Sequence, residues 1–159
     1  MAAVPHVAVT GGIVDKTLPH GLMFVGSGSK GDFVSFLVPN TFQTMLPYEF
    51  LADRYIHLFY SHNFGSLLFR TKHWRTELKI AYNAAFGTLK NPTAYGIDFK
   101  TANKIFQETG LIISKLYSFP IFNMFSFDCG VGAFYRFGYY KQRDIKDNIA
   151  LKLQFGISF

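Results

Sequence analysis

The sequence predicts an all-β protein, an antiparallel transmembrane β-barrel, and three observations carry that expectation. Residues 149–159 alternate without a fault: Ile149, Leu151, Leu153, Phe155, Ile157 and Phe159 fall on one face, and Ala150, Lys152, Gln154, Gly156 and Ser158 on the other. A strand has a side-chain period of two, so one face is wholly apolar and the other small or polar. Composition agrees. Aromatic residues make up 18% of the 159 residues and charged residues only 16%, against about 25% charged in an average soluble domain. No run approaches the roughly 18 consecutive apolar residues of a membrane helix. The alternating segments are also long, roughly 11–15 residues, where a tilted membrane strand needs about 9–11.

The elements follow in order. Residues 5–13 read as a strand, with Pro5, Val7, Val9, Gly11 and Ile13 opposite His6, Ala8, Thr10 and Gly12. Residues 15–19 turn, because Pro19 cannot continue a ladder. A short apolar run, 22–25, breaks at the glycine-rich stretch 26–31, and a short strand, 33–38, precedes Pro39. Residues 48–62 form the longest candidate. Phe50, Ala52, Ile56, Leu58 and Tyr60 share one face with Arg54, opposite Leu51, Asp53, Tyr55, His57, Phe59 and Ser61. Asn63 opens a turn. Beyond it lie an apolar tuck at 67–69, then Trp74 among Arg70, Lys72, His73 and Arg75, a mixture that suits a membrane interface.

Residues 76–87 repeat the alternation, with Leu78, Ile80, Tyr82, Ala84 and Phe86 opposite Glu77, Lys79, Ala81, Asn83 and Ala85. A polar loop holding Asn91, Pro92 and Gly96 leads to a strand at 105–117, turned at 118–120 by Pro120. Residues 125–137 alternate again before a charged loop and the closing strand. Tight connections at Asn63 and Ser118 and longer ones after Leu89 and Gly138 match the short-turn, long-loop asymmetry of membrane barrels.

Alternation alone does not say which face meets solvent, since a lipocalin-like barrel turns its apolar face inward. Here the polar face is rich in Gly, Ala, Ser and Asn, which suits a lumen. Asp53, Glu77, Lys79, Glu108, Asp128, Arg136 and Lys152 all fall on it, so a polar network across neighbouring strands is expected. Leu151, Leu153, Phe155, Gly156, Ile157 and Phe159 mark the strand expected to insert into the membrane.

Other chemistry is weakly signalled. Gly26, Gly28 and Gly31 match G-x-G-x-x-G, but β-like sequence follows where a phosphate site needs a helix N-terminus. His57 and Ser61 share a face four residues apart, about 13 Å along a strand and too far for a nucleophile–base hydrogen bond. Cys129 is the one cysteine, so no internal disulfide forms, and it reads as a small buried hydrophobe. No cofactor or metal site is expected. The net charge is +6 with scattered basic residues, which gives no nucleic-acid footprint and is compatible with anionic lipid. The first residues lack a basic stretch leading into an apolar one, so an exported protein is expected to be a processed chain, one with an engineered start, or the end of a longer one.

Several words of the chain stand in a telling order: residues 42–45 (FQTM), 48–55 (YEFLADRY), 62–69 (HNFGSLLF), 132–138 (GAFYRFG) and 147–153 (DNIALKL). In these the chain resembles the C-terminal region of a Bacteroidetes outer-membrane family of unknown function whose members carry an N-terminal carboxypeptidase-regulatory-like domain. That barrel is in turn distantly similar to BamA-type assembly barrels. The resemblance implies an outer-membrane location and a non-enzymatic role, structural or assisting the assembly or export of envelope proteins. Single-chain membrane barrels have at least about eight strands, so this chain is expected to supply the C-terminal six to eight strands of a larger barrel, completed by a missing segment or another protein chain, or else to form an unusually small closed barrel of its own. A small barrel binding an apolar ligand and a barrel-embedded hydrolase using Ser61 are the alternatives.

Overall fold

The computed structural model describes residues 4–15, 22–32, 34–65, 76–90, 100–121 and 125–158. The expectations for Pro19, Trp74 and its basic neighbours, the tuck at 67–69, the loop residues 91–96 and Phe159 lie outside them. The described chain is all-β. Its strands are β1 (Val4–Ile13), β2 (Phe24–Val25), β3 (Val34–Phe36), β4 (Leu51–Ala52), β5 (Arg54–Asn63), β6 (Glu77–Thr88), β7 (Phe106–Ile121), β8 (Phe125–Gly138) and β9 (Ile149–Ser158). One 3-10 turn, Ile145–Asn148, precedes β9.

Seven strands form one sheet in the order β1-β5-β6-β7-β8-β9-β3, and β2 pairs with β4 beside it. All neighbours in the large sheet are antiparallel except β3, which lies parallel to β9. The sheet is not closed: β1 and β3 are its edges. It nevertheless curls, because Val4 of β1 lines the same cavity as Gln154, Gly156 and Ile157 of β9.

The alternation read from sequence is the alternation of the sheet. In β6 every odd position from Glu77 to Gly87 is turned to the concave side and mostly buried, while Ile80 and Phe86 are exposed on the convex side. β9 does the same, with Ala150 and Lys152 buried and Leu151, Leu153, Phe155 and Ile157 exposed. A one-residue slip would exchange these faces wholesale, so the register is strongly specified.

Four expectations need correction. The long strand at 48–62 is two pieces: Tyr48 has a positive φ of 60°, β4 pairs with β2, and only β5 joins the large sheet. The strand expected at 33–38 reduces to three residues, Val34–Phe36. The connection after Asn63 is not tight, since β6 resumes only at Glu77. Finally, residues 118–120 do not turn; β7 runs through them to Ile121, with Pro120 opposite Ser126. Pro120 is tolerated because β6 ends opposite Ser114, so among the described strands only β8 lies beside it there.

β7 also carries an irregularity that alternation conceals. Ile113 pairs with Val131 and Tyr117 with Cys129, so three residues of β7 oppose Gly130 alone. Lys115 takes a φ of 56° in that bulge. A Cβ on Gly130 would lie 2.6 Å from the Ile113 carbonyl oxygen, so this position requires glycine. Two extra residues preserve parity, and the convex face stays apolar across the bulge. Cys129 is half-buried on that face.

Candidate functional site

The concave face is the candidate site, and the chain itself fills part of it. Residues 26–30 and 42–50 bond to each other: Ser29 N–H donates to the Phe42 carbonyl, Phe42 N–H to Ser27, Lys30 N–H to Met45 and Gly26 N–H to Phe50. This inner segment lies against the sheet through Phe42, Met45 and Phe50, which pack with Phe59, Ala85, Ala102 and Phe106. Phe42 meets Phe59 at 4.8 Å and Phe106 at 5.3 Å between ring centroids. Burying one such ring contributes roughly 1.5–3 kcal/mol.

The polar residues of the strands are sockets for that segment. Glu108 is fully buried on β7. Its carboxylate accepts from the backbone N–H groups of Gln43 and Thr44 at 2.8 Å each, from the Thr44 hydroxyl at 2.6 Å, and from Asn83 of β6 at 2.7 Å. Arg136 of β8 reaches Glu49 with two guanidinium nitrogens, at 2.8 and 3.2 Å, and its guanidinium lies 4.8 Å from the Phe106 ring centre. Lys152 of β9 donates to the Ser29 carbonyl at 2.6 Å and the Ser35 hydroxyl at 2.7 Å. It also feels the charge of Glu108. Three adjacent strands thus each hold the inner segment by one buried ionisable side chain.

The remaining expected residues sit on the same face but elsewhere. Glu77 pairs with Lys115 at 2.8 Å and accepts from Asn63 at 2.9 Å. Ser118 donates to Asp128. Glu77, Lys79, Lys115 and Asp128 line a cavity of about 340 Å³. Asp53 lies at the opposite end, where it accepts from the Lys90 backbone N–H at 2.8 Å. Arg54 is turned out there and shares Asp15 with Lys90; a hydrogen bond and the charge of Lys90, then Arg54, hold the exposed Asp15 carboxyl below its usual range.

Glu108 stands opposite Arg136, yet each binds the inner segment instead. Sequence periodicity did not disclose Glu49, Gln43, Thr44 or Ser29. The available signal was only that three buried ionisable groups on neighbouring strands need partners.

Gly28, the middle glycine of the G-x-G-x-x-G match, belongs to this packing. It bridges to Phe42, and a Cβ there would meet the Met45 carbonyl oxygen at 2.6 Å and the Leu46 carbonyl oxygen closer still. β3, not a helix, follows the motif. Gly28→Ala is expected to destabilise the fold by about 1–3 kcal/mol through overpacking, read as a lower urea midpoint. His57 is set among rings, 5.0 Å from Phe42 and 4.6 Å from Tyr55. No hydrogen bond joins it to Ser61 among the described residues, and no group of three or more potential metal ligands occurs among them. The chain matches no protein-family model, no curated protein and no solved structure.

Proposed function

We propose that the chain is a segment of an outer-membrane β-barrel, as its resemblance to the Bacteroidetes family implies, with a structural role or one in assembling or exporting other envelope proteins. The observation that carries this reading is the inverted distribution of side chains. Glu108, Lys152 and Arg136 are 0%, 1% and 2% exposed, whereas Val9 is 60% exposed, Phe155 48% and Ile157 61% on the convex side. A soluble monomer rarely shows so continuous an apolar surface, and lipid removes its cost. Aromatic rings flank the aliphatic middle of β8: Tyr135 and Phe137 toward one end, Phe127, stacked on Phe155 at 5.4 Å, toward the other. This distribution supports the reading of an apolar band between two girdles.

An open edge is not tolerated in lipid, because unpaired backbone groups there cost several kcal/mol each. Among the described residues β1 pairs only with β5, and β9 beyond Leu153 pairs only with β8. We therefore assign to these edges a further segment or another protein chain that completes the barrel.

Cell fractionation tests the reading. Recovery in the membrane fraction, extractable by detergent and heat-modifiable on gels, is the expected result; recovery in the soluble fraction without detergent overturns it. Within the membrane, Leu153→Arg should cost about 2–4 kcal/mol near the bilayer midplane, whereas Gln154→Ala, on the concave side, should have little effect on insertion. Equal sensitivity of the two positions would mean the lipid lies elsewhere.

A further inference from the structure

The convex surface is not uniformly ridged. On β8 the outward residue Ala133 stands between Leu111 of β7 and Leu151 of β9, and one step along the strands Val131 stands between Ile113 and Leu153. The small side chain of Ala133 leaves a trough between larger neighbours. With Val34 of β3 beside Leu151, these residues enclose an apolar groove of about 280 Å³. Its floor is backbone: Gly132 has no side chain, and Lys152 sends its ammonium to the other side of the sheet.

Beyond the residues that line the groove, β8 continues to an aromatic ring and a cation. Tyr135 follows Ala133 on the same face of β8, about 7 Å further along the strand, and the Lys141 ammonium lies 5.9 Å from its ring centre. Lys141 is exposed. The loop that carries it holds Lys141, Arg143 and Lys146 against Asp144 and Asp147, with Lys30 bonded to the Asp147 carbonyl and Asp32 in the chain leading to β3. An aliphatic trough, then an aromatic ring, then a cation is the order of chemistry met along a phospholipid from its acyl chain to its phosphate.

We infer that this groove holds one acyl chain of a phospholipid whose phosphate is bound by Lys141. The inference rests on the membrane reading above. Ala133 makes the chain's seat and Lys141 selects the headgroup, so the two contributions separate by mutation. A bound lipid of this kind would cover the surface where the three-residue β3 joins β9, the shortest pairing in the large sheet.

The test uses detergent-purified protein, stripped of lipid and re-equilibrated with phosphatidylglycerol or with a phosphate-free glucosyl diacylglycerol of the same chains. Retained lipid is counted by native mass spectrometry. The wild-type protein should hold one phosphatidylglycerol in preference to the glucosyl lipid. Ala133→Phe, which fills the trough from the lipid side, should lower retention of both lipids about tenfold, the loss that follows from forfeiting burial of a couple of methylene groups. Lys141→Gln should bring phosphatidylglycerol down to the level of the glucosyl lipid. Unchanged heat-modifiable migration shows that each variant is folded. Undiminished retention in Ala133→Phe overturns the groove, and undiminished headgroup preference in Lys141→Gln overturns the phosphate contact. A protein soluble without detergent would instead overturn the membrane reading, a different result from a membrane protein that holds no lipid.

Discussion

Glu108→Ala is expected to produce one of the two greatest losses of stability in this protein, about 3–5 kcal/mol. The carboxylate accepts four hydrogen bonds at 2.6–2.8 Å from Gln43, Thr44 and Asn83. Alanine leaves two backbone N–H groups, a hydroxyl and an amide without their acceptor, and each such buried group costs roughly 1–3 kcal/mol. It also removes the negative charge felt by the buried ammonium of Lys152. The strands should survive, because Phe106, Gly110 and Ile112 on the same face of β7 are untouched, but the inner segment loses its central attachment. Limited proteolysis should then cut near residues 41–50, and the urea midpoint should fall. Glu108→Gln should be intermediate, since one amide oxygen still accepts while its NH2 group faces donors. A cleavage pattern and midpoint like those of the wild type would show that the inner segment is held chiefly by Phe42, Met45 and Phe50.

The periodic part of the fold was legible in the sequence. β6, β8 and β9 alternate cleanly, and Asp53, Glu77, Glu108, Asp128, Arg136 and Lys152 are buried. What periodicity could not reach is the inner segment. Its hydrogen bonds join backbone to distant side chains, as from Gln43 to Glu108 across 65 residues, and such contacts leave no local repeat. β3 is three residues long and pairs in parallel with β9, too short for a period to show. The bulge at Lys115 adds two residues and so leaves parity intact, which hides it from any reading of alternation. Pro120 misled for the opposite reason: its meaning depends on β6 having already ended, a fact of the sheet and not of the neighbouring residues. Some polar side chains find partners across the strands, as Glu77 does in Lys115, while Glu108, Arg136 and Lys152 also reach the inner segment, which periodicity does not disclose.

The ion pair of Arg136 and Glu49 provides the second large effect, and its form separates charge from packing. Both side chains are nearly inaccessible, 3% and 5% exposed, and the guanidinium meets the carboxylate through two nitrogens. Breaking such a pair from one side leaves a buried charge without its counterion, which costs about 3–5 kcal/mol. Arg136→Met and Glu49→Leu should each show that loss as a lower urea midpoint. The double variant should recover much of it, because two apolar side chains of similar length can replace a buried pair at little net cost. Recovery will be incomplete on one count: the guanidinium also lies over Phe106 at 4.8 Å and Phe50 at 5.8 Å, and a thioether in its place keeps contact with the rings but not the cation–π attraction of roughly 0.5–2 kcal/mol. Arg136→Lys tests the geometry alone. It keeps the charge and loses the two-pronged contact, so it should fall between the wild type and Arg136→Met. If the two single variants and the double variant were to lose stability additively, the pair would not be coupled, and Glu49 would owe its burial to the packing of Phe50 beside it.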